Sequence, residues 1–173
     1  MHSPTPDRDL KIICNRAHGD VKEVLADNLP SPLGKPVVLT TYVDANLYHD
    51  MVTGRSVCGI LHLVNQTPFE WFSKKQSTVK TATYGSEFVA ARIATEQIIA
   101  NCMMFRYLGI PVREKTNMFG DNKSVVDSSA KPHAVLHKRH NALSFHRVCE
   151  AIASGIIHFE HIDGPINPAD ILR

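Results

Sequence analysis

The apolar positions of the chain fall into two periods, and the change between them divides it. Val37-Val38-Leu39-Thr40-Thr41-Tyr42-Val43-Asp44-Ala45 is a β-rich run that follows a proline cluster and delivers one carboxylate, Asp44, at its end. After a turn-rich loop over residues 46–54, Ser56 to Val64 reads as a second strand, Asn65-Gln66-Thr67-Pro68 as a tight connection, and Phe69 to Ser73 as a third strand holding the single tryptophan, Trp71. Connections this short favour an antiparallel meander. From Thr83 to Leu108 the period lengthens: Phe88, Ala91, Ile98, Cys102, Phe105 and Leu108 form an apolar stripe at three- and four-residue spacing. Thr83 is the expected N-cap, and Gly109 with Pro111 the stop. Glu87 then falls in the first turn, one position before the stripe begins.

Residues 117–121 form a fourth strand ending on Asp121. A strand-helix-strand crossing of this length makes it parallel to the first strand. A short helix follows over 122–129, and a longer one over 137–154 turns Leu136, Leu143, Val148, Ala151 and Ile152 inward. Ile156 to Ile162 is a fifth strand. Asn167-Pro168 opens a last helix as N-cap and N1, with Asp170 in its first turn. The sequence stops at Arg173, so only the first turn of that helix is expected. Residues 1–36, punctuated by Pro30, Pro32, Gly34 and Pro36, read as a connector left from something upstream, and 37–173 as one domain.

Composition narrows the setting. The chain's 173 residues, 43% of them hydrophobic, suffice for one domain with a core. Nineteen Lys+Arg against 17 Asp+Glu leave a net charge of +2, so bulk charge does not announce a nucleic-acid partner. Distribution says more. Between Glu70 and Glu87 the charges are Lys74, Lys75 and Lys80; from Lys131 to Arg147 they are Lys131, Lys138, Arg139 and Arg147, with His133, His137, His140 and His146 interleaved. Two acid-free basic stretches of this kind suit a phosphate-binding surface, although solvated faces have the same composition. Cys14, Cys58, Cys102 and Cys149 stand singly, which argues against a zinc site or a disulfide scaffold and suits a reducing compartment. The polar segment 1–11 is no signal peptide, and no apolar run reaches membrane-spanning length. The expectation is a soluble intracellular domain, cytoplasmic or nuclear, not secreted, with no membrane partner and no small-molecule cofactor.

The acids carry the chemistry. If the first and fourth strands lie side by side in parallel, Asp44 and Asp121 meet at their carboxyl ends, where ligands of such sheets gather. Glu87 and Asp170 open helices near the same rim. Four carboxylates in one place cannot all ionise without cations. With two divalent ions they form an oxygen cage of the kind Mg²⁺ or Mn²⁺ prefers. Two such ions about 3.5–4 Å apart can activate a water and stabilise the leaving oxygen of a phosphodiester.

Over residues 37–173 the chain resembles the ribonuclease H domain at the end of the Ty1/copia-type retrotransposon polyprotein. Tyr42-Val43-Asp44-Ala45 looks like that family's "VDA" strand end, and Arg55-Ser56 with Gly59 like its "RRSTSG" segment. Trp71-Phe72-Ser73-Lys74-Lys75-Gln76 is similar to "WSSKKQ", the most specific stretch. Glu87-Phe88 falls where "STEAEY" has its second Glu and its Tyr. Asp121-Asn122 matches "DN". His140 and His146, with Phe145 and Glu150, fit "KHIDIRYHFIRE", and Ala169-Asp170-Ile171-Leu172 matches "ADILTK". The resemblance implies an α/β, ribonuclease H-like fold: a five-stranded mixed sheet in the order 3-2-1-4-5, strands 1–3 antiparallel and strand 4 parallel to strand 1, flanked by helices. It makes Asp44, Glu87, Asp121 and Asp170 the catalytic, metal-binding tetrad for two Mg²⁺ or Mn²⁺ ions. It implies hydrolysis of the RNA strand of an RNA–DNA hybrid. The hybrid and the reverse transcriptase domain of the parent polyprotein would be the partners, and Lys74, Lys75, Gln76, Asn122, Arg139 and His140, with Lys138, the nucleic-acid contacts.

The sequence departs from the family at several places. The first Glu of "STEAEY" is absent from Thr83-Tyr84-Gly85-Ser86-Glu87-Phe88, the second acid of "VDADWAG" is absent from Asn46-Leu47-Tyr48, and Ala142 replaces the Asp of "KHID". The turn from Asp163 to Asn167 is short and lacks the histidine of cellular ribonucleases H; His161 is the nearest, and reads as an ordinary strand residue. Trp71 reads as core packing, and the other histidines as surface or hydrogen-bonded groups. Taken singly, each acid has an ordinary role as a strand-end, capping or first-turn residue. Two functional classes follow: a two-metal nuclease module, or a non-catalytic retrotransposon relic that keeps the fold and some nucleic-acid binding. Another nuclease or transposase of the same fold fits the Ser-Lys-Lys-Gln segment less well.

Overall fold

A computed structural model describes residues 31, 33–50, 52–77, 79, 82–113, 115–131 and 142–173. Most of the expected connector lies outside these residues, as do Leu136, Lys138, Arg139 and His140. The elements are β1 (Leu39–Asp50), β2 (Arg55–Val64), β3 (Thr67–Lys75), α1 (Thr83–Tyr107), β4 (Thr116–Gly120), α2 (Lys123–Ala130), α3 (Ala142–Ala153) and β5 (Ile157–His161), then 3₁₀ turns at Gly164–Ile166 and Pro168–Leu172. The sheet runs β3-β2-β1-β4-β5, with β1 antiparallel to β2, β2 antiparallel to β3, and β4 parallel to both β1 and β5. This is the expected topology.

Alternation along the strands separates two faces. Val43, Ile60, Met118 and Phe159 meet Phe88, Ala91, Ile98 and Val148 from the helices in one buried cluster. Each large side chain buried there contributes roughly 1.5–3 kcal/mol. The other parity places Tyr42 beside Leu61 and Phe119, and Leu61 beside Trp71. Tyr42 stacks on Phe119 with ring centroids 5.3 Å apart, and Trp71, on the edge strand, is 68% exposed. Trp71 is therefore not core: its neighbour Phe72 takes the inward position, which turns Trp71 to the opposite face.

Three helical details differ from expectation. Thr83 is the first residue of α1 and Ala82 the cap, with no side-chain cap bond, so Glu87 lies one turn in rather than at the entrance. Leu108, 56% exposed, falls past the helix end, and Leu143, 86% exposed, lies on the outer side of α3. The final segment is a 3₁₀ turn, not an α-helix, capped as expected by Asn167. Gly109, with φ of 72°, ends α1. No helix among the described residues is long and apolar enough to cross a membrane.

Candidate metal centre

β1 does not stop at Asp44. It continues to Asp50 as the β1–β2 hairpin, with a bulge beyond Asn46. Its pairing with β4, however, ends at Val43↔Gly120. Asp44 and Asp121 are thus the residues immediately beyond the last parallel pair, one on a strand that goes on and one on a chain that turns into α2. Glu87 reaches the same point from α1. One carboxylate oxygen from each of Asp44, Glu87 and Asp121 lies within 4.8 Å of the other two.

The environment is costly for charge. Asp44 is fully buried and Glu87 is 5% exposed. Burial, followed by repulsion from Asp121, lifts the Asp44 carboxyl from 3.8 to about 6, against the pull of Arg173 and the nearby Ala45 amide. Burial, then Asp121 and Asp44, holds Glu87 well above the usual carboxylate range. Neither oxygen of Asp44 has a hydrogen-bond partner. Arg173 Nε lies 2.8 Å from Asp44 Oδ2, but its N–H is spent on Asp170 Oδ1 at 2.5 Å, so toward Asp44 it acts as a charge and not as an aligned donor. Orphaned, buried carboxylate oxygens facing two further acids are the donor set that a hard divalent cation satisfies. The residues present fit such an ion.

Asp170 belongs to the rim of this group rather than its centre. Its side chain is 49% exposed and it is held to Arg173. The 3₁₀ turn that carries it is seated by Asn167, whose Oδ1 accepts from the Ala169 amide and whose Nδ2 donates to the Val43 carbonyl at 3.1 Å. Ser73 Oγ donates to the Leu172 carbonyl. Gly59 lies beneath: a Cβ there would come within 2.6 Å of the Ala169 carbonyl. An open cleft of about 460 Å³ runs along the acids, lined by Asn46, Leu47, Thr83, Asn122, Lys123 and Arg173 besides Glu87 and Asp121.

The predicted nucleic-acid contacts divide. Lys74 and Lys75 are exposed at the end of β3. Asn122 lines the cleft and caps α2 by accepting from the Val125 amide. Gln76 is 4% exposed, and its amide donates to Cys58 Sγ and to the Ser86 carbonyl. It ties the end of β3 to α1, because the chain turns inward after Lys75. His161 ends β5 as an exposed strand residue, but its Nε2 lies 3.0 Å from the Asp121 carbonyl and so donates to the backbone of a site residue. Arg173, Asn167 and Gly59 were not legible as site-forming residues. Only the Asn-Pro cap gave a signal, and it spoke for the turn, not for the Val43 contact.

No family model matches the chain. Retrovirus-related Pol polyproteins from transposons RE2 and RE1 of Arabidopsis thaliana are each 26% identical to it over 141 residues, 80% of the chain. The chain spans about 10% of the length of these curated relatives. Among solved structures, LC11-RNase H1 in complex with an RNA/DNA hybrid superposes with a TM-score of 0.60 at 17% identity, covering 78% of this chain and 92% of that one. RNase H1 from the halophilic archaeon Halobacterium salinarum gives 0.58 at 13%, with the same coverages. A foamy viral protease-reverse transcriptase in complex with an RNA/DNA hybrid gives 0.54 at 16%, over 88% of this chain and 21% of that one. The chain is thus similar to a short segment of retrovirus-related Pol polyproteins of transposons, and it has itself a ribonuclease H-like fold.

Proposed function

We propose that residues 37–173 form a ribonuclease H module that hydrolyses the RNA strand of RNA–DNA hybrids, with residues 1–36 as the connector to upstream polyprotein. The observation that carries this reading is the meeting of Asp44, Glu87 and Asp121 from three separate elements, with the oxygens of Asp44 buried and without a hydrogen bond. In this proposal Asp44, Glu87 and Asp121, joined by Asp170, hold two Mg²⁺ or Mn²⁺ ions. Bound there, such ions would polarise a scissile phosphate and lower the pKa of an attacking water.

The chain's own groups have separate tasks. Burial keeps Asp44 and Glu87 poised to gain far more from a cation than exposed acids would. His161 fixes the backbone at Asp121. Asn122 stands at the cleft wall. Lys74 and Lys75 supply phosphate contacts whose affinity falls with salt and is indifferent to sequence; Lys138, Arg139 and His140, outside the described residues, are proposed as contacts of the same kind. An A-form-like duplex is read by shape and 2′-hydroxyls, without a base code. The reverse transcriptase domain of the parent polyprotein is the proposed protein partner, and the setting intracellular, cytoplasmic or nuclear.

A labelled RNA–DNA hybrid incubated with Mg²⁺ or Mn²⁺ tests this directly. Wild type is expected to cleave the RNA strand, and Asp121→Asn to lose cleavage while still binding the hybrid. Cleavage that survives this substitution would sink the tetrad assignment. Salt-sensitive hybrid binding without cleavage by either protein would favour the second reading, a non-catalytic relic. The observation favouring that reading is the Arg173 guanidinium lodged against Asp44 and Asp170.

A further inference from the structure

Arg173 holds a place among the acids that the proposed hydrolysis does not use. Its guanidinium is bound to Asp170 through two nitrogens, and its Nε lies 2.8 Å from Asp44 Oδ2. The side chain is 29% exposed, so it joins the buried acid to the exposed one with a path to solvent behind it. Burial alone would lower its pKa, but the Asp170 bond and the surrounding carboxylates outweigh this and raise it. It is a permanent positive charge.

A charge in this position divides the cluster. Asp44, Glu87 and Asp121 keep oxygens within 4.8 Å of one another, a group to which Arg173 is ion-paired at Asp44 Oδ2 and which it otherwise reaches through its charge. Asp170 stands outside that group and is occupied by the guanidinium. A divalent cation needs carboxylate oxygens at about 2.1 Å, and it cannot share the space between Asp44 and Asp170 with a guanidinium at hydrogen-bonding distance from both, because the two cations would repel. A guanidinium is more weakly hydrated than an ammonium and fits two carboxylates at once, so it competes well at this point.

Resting on the reading of these acids as cation ligands, we propose that Arg173 is an internal competitor for the second ion. The pocket of Asp44, Glu87 and Asp121 loads one divalent cation freely, and a second binds between Asp44 and Asp170 only by displacing the guanidinium. The same contacts have a purely structural counterpart, a clamp that keeps the Pro168–Leu172 turn on the sheet. The two roles predict opposite results. Removing a competitor tightens the second ion, whereas removing a clamp loosens it.

The experiment is a Mn²⁺ titration of the chelator-stripped full chain, read by the electron paramagnetic resonance of free Mn²⁺ and by calorimetry, with urea unfolding to show that each variant is folded. Wild type is expected to bind one ion, and a second at least tenfold more weakly. Arg173→Gln is expected to tighten the second constant by roughly tenfold or more, the scale of removing one unit charge a few Å away, and to tighten the first by less. Arg173→Lys, which restores the charge, should return the second constant toward wild type. An unchanged or weakened second ion in Arg173→Gln overturns the proposal, as does an Arg173→Lys protein indistinguishable from Arg173→Gln. Two ions of equal affinity in wild type overturn the role of Arg173 while leaving the acids as ligands. No Mn²⁺ bound by any of the three proteins overturns the ligand reading itself.

Discussion

Replacing Asp44 by asparagine separates what the acid cluster costs from what it does. The Asp44 side chain is wholly buried, its two oxygens lack hydrogen-bond partners, and its pKa rises from 3.8 to about 6. At about 1.4 kcal/mol per pH unit, that displacement corresponds to roughly 3 kcal/mol of disfavoured ionisation. Asparagine removes the charge but brings an amide whose N–H groups must find acceptors; Glu87 and Asp121 are within reach. In metal-free protein at about pH 7.5, Asp44→Asn is therefore expected to be more stable than wild type by roughly 1–3 kcal/mol. The pH signature follows from the direction of the displacement. A carboxyl whose folded pKa lies above its unfolded value contributes stability that is full below 3.8 and lost as pH rises through about 6. Wild type should gain stability on acidification across that window, and the advantage of the variant should nearly vanish by about pH 4. Urea unfolding in chelator, with m-values held equal, measures the difference. Adding Mn²⁺ should stabilise wild type by mass action and leave the variant nearly unmoved, narrowing or reversing the order. An Asp44→Asn protein less stable than wild type in chelator, or one whose advantage persists into acid, would refute the account of Asp44 as an acid waiting for a cation.

Two further substitutions test the surroundings. Gly59→Val places a Cβ 2.6 Å from the Ala169 carbonyl and 3.0 Å from Leu172 Cβ; because the nearer atom is backbone, the turn must lift. The expected loss is about 1–3 kcal/mol with weakened Mn²⁺ binding, and near-wild-type Mn²⁺ affinity would show that the turn does not help hold the ion. His62 is 2% exposed between Thr41 Oγ1 at 2.9 Å and Gln97 Oε1 at 3.1 Å, and burial lowers its pKa below 6.5 despite Gln97 and Glu70. The unfolded chain then takes up the proton first, so stability is lost as pH falls through 6.5. In an Asp44→Asn, Glu87→Gln background, which removes the opposing slopes of both raised carboxyls, urea unfolding at about pH 7.5 and 5.5 should show this loss, and His62→Gln should abolish it.

Much of the fold was legible because its signals are local and redundant. Short connections forced the β1–β2–β3 meander, the 25-residue helix α1 announced itself by period, and a strand-helix-strand crossing fixed β4 as parallel to β1. What was not legible depends on which side of an element another element covers. Trp71 and Phe72 both look like core residues in sequence, and only the placement of the helices on one face decides that Phe72 is inward. Leu143 fails for the same reason on α3. Gln76 sits in the most family-like stretch, yet its role is set by a turn that brings it under Ser86. Asp44 reads as a strand end in the sequence but is not one, since the strand's continuation to Asp50 is dictated by hairpin pairing with Arg55 and not by its own apolar pattern.

The site is a consequence of where pairing stops. β4 accompanies β1 only as far as Val43↔Gly120, so the next residue of each is released from the parallel ladder at the same level, and both are aspartates. A one-residue slip of β1 would move Asp44 to the other parity and carry Val43 and Ala45 out of the core; burial of those two residues at 2% each therefore fixes the register that brings the acids together. Phe88, fully buried and adjacent in sequence to Glu87, does the same for α1, because the helix cannot rotate Glu87 away without withdrawing Phe88 from its contact with Phe145 of α3. The buried hydrophobic residues beside Asp44 and Glu87 thus hold two of the three mutually repelling carboxylates in place. Asp170 is carried by a short turn seated through buried Ala169 and Asn167 and is itself held to Arg173, which makes the fourth acid the point at which the proposed second ion is decided.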